Sequence, residues 1–77
     1  MEYTVTYYEA LDQLQNGFCI QSEAMRDGTY IDTIKTGFFK NKLYIFHSNG
    51  DKVGAYIPSI SDMKIKWRYF KHGEPTI

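Results

Sequence analysis

Few residues in this chain are of a kind that does covalent or acid–base chemistry, and their spacing does not assemble them. Cys19 is the only cysteine and lies between Phe18 and Ile20, with nothing beside it to lower its pKa; this predicts a buried, reduced thiol. One Cys with His47 and His72 far along the chain makes a poor zinc set, and neither a disulfide nor a cofactor is expected. Ser22, Ser48, Ser59 and Ser61 sit in or beside turns without a Gly-x-Ser-x-Gly elbow, and Asp12, Asp27, Asp32, Asp51 and Asp62 are scattered. The expectation is a protein that is not an enzyme.

Binding chemistry is better represented. The run from Lys64 to Lys71 interleaves bases with Trp67, Tyr69 and Phe70, a pattern that can set phosphate contacts beside stacking rings. In a strand, however, Trp67 and Tyr69 share one face while Lys66, Arg68 and Phe70 share the other, so a half-buried strand with a solvated basic side is the preferred reading. Trp67 is either core or a stacking surface for a purine. Arg26, at the tip of a polar loop, is a candidate pyrophosphate contact because a guanidinium fork matches phosphate oxygens; a solvated surface role is the alternative.

The elements that must hold these residues can be read in turn. Residues 6–17 carry a start signal, an apolar stripe and a stop signal: Thr6 and Glu9 form a capping box, Tyr7, Ala10, Leu11 and Leu14 recur at helical spacing, and Asn16-Gly17 ends the helix. Residues 1–5 lead in and offer a short edge strand. Strands are expected at 18–22, 30–36, 43–47, 52–57 and 66–70. The loop 22–28 turns at Asp27-Gly28, Gly37 interrupts the chain, and Lys40-Asn41-Lys42 makes a bend. Asn49-Gly50 fits a two-residue hairpin loop. Pro58 stops a strand, Ser59 or Asp62 caps a helical turn from Pro58 to Lys64, and the tail from Lys71 frays. The fold class is therefore α+β: one N-terminal helix on an antiparallel sheet of four to five strands, in a single domain over residues 1–77.

A chain of 77 residues buries only about 60% of the surface that its unfolded form exposes, so its core is thin. The aromatic fraction of 17% is high for so little interior, and the strands at 43–57 are apolar on both faces; one helix cannot cover both, which points to self-association. Nine basic and nine acidic side chains leave a formal net charge of zero, so nucleic acid and anionic membranes are not expected partners. With no apolar run of membrane-spanning length and no leader pattern, a cytoplasmic protein is expected.

Two stretches resemble the ends of a family of small phage proteins. Tyr7-Tyr8-Glu9-Ala10-Leu11, with Gly17 after it, and Ser59-Ile60-Ser61-Asp62-Met63 followed by Trp67 look like that family's aromatic, Glu-Ala-Leu and Gly opening and its Ser-x-x-Asp-Met…Trp ending. The family includes the second type of Thoeris anti-defence protein. The resemblance implies a sponge that binds a cyclic ADP-ribose isomer or a cyclic oligonucleotide without cleaving it, in the host cytoplasm, as a homo-oligomer and typically a tetramer. Tyr7 and Trp67 then stand where family aromatics lie, either of which could stack on an adenine at about 1–3 kcal/mol. Asp62 and Ser59 match the second motif, and Asp62 could accept from ribose hydroxyls as well as cap a turn. The loop 22–28 has Ala24 or Met25 near the place where family members often carry a Trp. The alternative from another class is an inhibitor that covers a host nuclease or effector directly; a single-stranded nucleic-acid binder comes third.

Overall fold

The computed structural model describes residues 3–34 and 42–71. The readings at Lys35 to Asn41, including Gly37 and part of the bend, at the first two residues, and at His72 and the rest of the tail fall outside that range.

The chain forms α1 (Tyr7–Gln15), then strands β1 (Cys19–Ser22), β2 (Thr29–Thr33), β3 (Leu43–His47) and β4 (Lys52–Ala55). A 3-10 turn (Ser61–Lys64) follows, and the last strand is β5 (Trp67–Phe70). The strands make one antiparallel sheet in the order β4-β3-β2-β1-β5. This is the expected α+β class, with the helix on the sheet. Val5 adds a single bridge, exchanging both backbone hydrogen bonds with Trp67, where a short edge strand was expected.

The helix begins as its sequence dictates. Thr6 Oγ1 accepts from Glu9 N at 3.2 Å while Glu9 Oε1 accepts from Thr6 N at 3.0 Å, closing the capping box. Hydrogen bonding by the Thr6 amide, and then by the Thr6 side chain, holds the Glu9 carboxyl below its ordinary value. At the other end, Phe18 N donates to Gln13 O and Gly17 N to Leu14 O, with Gly17 at φ 94°. That paired closure is the Schellman turn, which satisfies the terminal carbonyls and sends the chain straight into β1. Tyr7, Ala10 and Leu14 are buried against Ile20, Ile31 and Trp67, and Leu11 lies half-buried beside them.

Two expectations change. The β3–β4 connection is a three-residue loop: His47 N donates to Asp51 O, Gly50 N to His47 O, both at 2.8 Å, and Gly50 takes φ 95°. Asn49 Oδ1 captures the Asp51 amide at 3.0 Å, folding the loop back one residue later than a two-residue turn allows. A bulge then leaves Val53 between the Ile45↔Gly54 and Phe46↔Lys52 pairs. Second, the sheet face away from the helix is not bare. Cys19, Tyr30 and Phe70 are buried there with Phe46 against them, and Tyr30 stacks on Phe46 at 5.7 Å. Burial, then the nearby Cys19 and Asp32, push the Tyr30 phenol up. Gln21 ties the same face together, its amide donating to Thr29 O and its oxygen accepting from Arg68 and from the Tyr3 hydroxyl.

The exposed apolar side chains lie elsewhere: Ile57 (81%), Ile60 (73%), Tyr8 (63%), Val53 (53%) and Met63 (45%). Most belong to the connection 56–66, which must pass from β4 at one sheet edge to β5 at the other, about 19 Å at the usual strand spacing.

Candidate functional site

The helix has nine residues, about 14 Å of length, and packs mainly over β1 and β5. The rest of that face, over β2, β3 and β4, is left to the crossing connection. Between the two is an open-sided cavity of about 360 Å³. Met25, Ile31, Ile45, Ala55 and Ile57 make its apolar walls; Tyr56, Asp62 and Trp67 supply its rings and polar atoms. Ile31 and Ile45 are there because β2 and β3 pair them directly, on the same sheet face as Trp67. Met25 comes from the β1–β2 loop, whose first turn is closed by Met25 N donating to Ser22 O.

Asp62 is the hub of the polar part. Its Oδ2 accepts from Tyr56 OH at 2.9 Å and from Ser59 N at 3.1 Å. Its backbone carbonyl accepts from the Trp67 indole at 2.9 Å, and its amide donates to Ser59 O. Ser59 Oγ lies 3.4 Å from that same amide, so Ser59 and Asp62 grip each other reciprocally across the start of the turn. The Ser-x-x-Asp spacing thus closes the turn and leaves the carboxylate pointing a second bond at Tyr56. The Tyr56 oxygen is in turn 3.4 Å from the Tyr7 hydroxyl. Desolvation, followed by its bonds to Tyr7 and Asp62, pushes the Tyr56 phenol far above its ordinary range, so it stays protonated as a donor.

The sequence-derived site residues divide. Tyr7, Ser59, Asp62 and Trp67 converge on this cluster. Trp67 is fully buried, its ring 5.3 Å from Tyr7 and 6.5 Å from Tyr56, and it meets the cavity as part of the wall. Tyr7 is buried beneath it and reaches the site only through its hydroxyl. Neither offers an open ring face in the single chain. Arg26 is exposed and is not among the lining side chains, although the preceding residue, Met25, is. On β5 the rings of Trp67 and Tyr69 pack under the helix while Arg68 faces the other way against Gln21 and the Tyr3 ring, the alternation expected of that strand.

Sequence reasoning did not single out Met25, Tyr56, Ile31 or Ile45 as site residues. Tyr56 had a local signal, an aromatic just before Pro58 and Ser59, but its partner Asp62 becomes visible only once the turn folds back. Among the described residues no group of His, Cys, Asp and Glu side chains is placed to hold a metal, and no helix is long and apolar enough to cross a membrane. Compared with protein-family models, with curated proteins and with solved structures, the chain matches none.

Proposed function

We propose that this chain binds and sequesters, without cleaving it, a nucleotide-derived immune signal, a cyclic ADP-ribose isomer or a cyclic oligonucleotide. On this reading it belongs with the Thoeris anti-defence sponges that it resembles and works in the host cytoplasm as a homo-oligomer, a tetramer by the same resemblance. The observation that carries the reading is the cavity, where apolar walls surround a carboxylate and a phenol held as a donor. Pockets for small ligands have this make-up, mostly apolar with a few fixed polar groups. At about 360 Å³ it lies near the lower end of their size range, which suits a base with its ribose. Phosphates are then left outside the cavity, where Arg26, the residue after the lining Met25, is a candidate contact. The exposed Ile57 on the cavity wall, with Ile60 and Met63 on the same connection and Tyr8 on the helix, supports a second copy completing the enclosure.

The test is to incubate the protein with a panel of cyclic ADP-ribose isomers and cyclic dinucleotides, denature it by heat, and assay the supernatant. Recovery of one compound intact is the expected result. An altered product means catalysis, and no uptake together with a monomer in solution overturns the proposal. The same exposed rim favours a second reading, direct capping of a host defence protein, which predicts a stable protein complex and no small-molecule uptake.

A further inference from the structure

Asp62 spends only one of its carboxylate oxygens on the fold. Oδ2 takes both Tyr56 OH and Ser59 N, while Oδ1 has no partner among the described residues, and the residue lines the cavity. That oxygen is not buried, and Asp62 is the one charged side chain among the described residues that line the cavity, so its charge meets a ligand there with no opposing one. An uncommitted anionic acceptor in this position attracts donors and repels phosphate. The neighbouring Tyr56 cannot offset this, because its one proton is already given to Asp62.

We infer that Asp62 is a charge filter: the cavity admits a ring that carries a hydroxyl or amine and keeps the anionic part of the ligand outside. This rests on the cavity being the binding site named above, and it deepens that reading by fixing which end of the ligand enters. Asp62→Asn isolates the effect. The side-chain carbonyl of Asn still accepts from Tyr56 OH and Ser59 N, so the turn keeps its closure, while the free acceptor becomes an uncharged donor.

The chain has one tryptophan, which lines the cavity and donates its indole N–H to the carbonyl of Asp62, and this makes a single NMR reporter. Titration of the native protein with benzylamine, benzyl alcohol and phenyl phosphate should move that signal with benzylamine bound about tenfold tighter than phenyl phosphate. Benzyl alcohol should fall between them. In Asp62→Asn the two charged probes should come within about twofold of each other. Phenyl phosphate binding the native protein as tightly as benzylamine overturns the filter, as does an unchanged ranking in Asp62→Asn or an indole signal that no probe moves. Should the variant not fold, the ranking on the native protein decides alone. A failed ranking leaves nucleotide uptake to be judged by heat release, whereas an empty heat-release assay with the ranking intact removes the nucleotide reading and keeps the filter.

Discussion

The two halves of the helix-side face belong to one sheet yet end differently. Over β1 and β5, Tyr7, Ala10 and Leu14 come down on Ile20 and Trp67 and exclude water. Over β2 to β4 the side chains are equally apolar, but beyond Ile31, which the helix residues still reach, Ile45 has the connection 56–66 and Met25 beside it, and an open cavity remains. The apolar pattern is therefore not what separates core from site. The separation is set by how far a nine-residue helix reaches across five strands.

The largest expected effect tests the packed half. Leu14→Ala removes a buried side chain in a filled region and should cost about 2–5 kcal/mol in urea unfolding. Ile45→Ala, half-buried against a space that is already open, should cost about 1 kcal/mol. Equal losses would erase the contrast. Next comes Tyr56→Phe, which removes the hydroxyl joining Asp62 to Tyr7 and should cost about 1 kcal/mol. Its pH dependence sharpens the point. The phenols of Tyr56 and Tyr30 are raised in the folded chain, so their contribution is complete below the ordinary tyrosine value of about 10 and is lost as pH rises beyond it. Unfolding followed from pH 8 to 11 should show stability falling at the alkaline end, and less steeply in Tyr56→Phe. The smallest effect belongs to the rim: Ile60→Ser should change unfolding free energy by under about 0.5 kcal/mol. In gel filtration the same variant should shift the protein towards smaller species if the rim joins copies of the chain.

Local features were legible because their causes are local. The capping box of Thr6 and Glu9, the glycine stop at Gly17, the Ser59–Asp62 turn and the alternation of β5 each depend on residues a few positions apart. The hairpin lies at Asn49-Gly50 as the dipeptide predicts, but its loop has three residues instead of two, since the Asn49 side chain takes the Asp51 amide. What the pattern could not reveal was that β5 returns to pair with β1, because antiparallel pairing of distant strands leaves no periodic trace. Without that pairing neither the bare part of the face nor the convergence of Tyr56, Asp62 and Trp67 can be located. It also explains the far face: two apolar sides on β3 and β4 suggested an uncovered surface, while Tyr30, Phe46 and Phe70, drawn from three strands, bury each other.

The return of β5 also bears on how fast the molecule should assemble. Strands β1 to β4 form a meander of neighbours, each able to zip onto the one before it within microseconds. Trp67 is different: it bridges Val5 near the start of the chain, pairs with Ser22, anchors under Tyr7 and donates to Asp62. All but the bond to Asp62 join residues far apart in sequence, so each needs a long loop to close. The folding barrier should therefore be set by the capture of one indole. Until then the helix has only β1 and β2 to lie on, through Ile20 and Ile31, and the cavity lacks the Trp67 part of its wall.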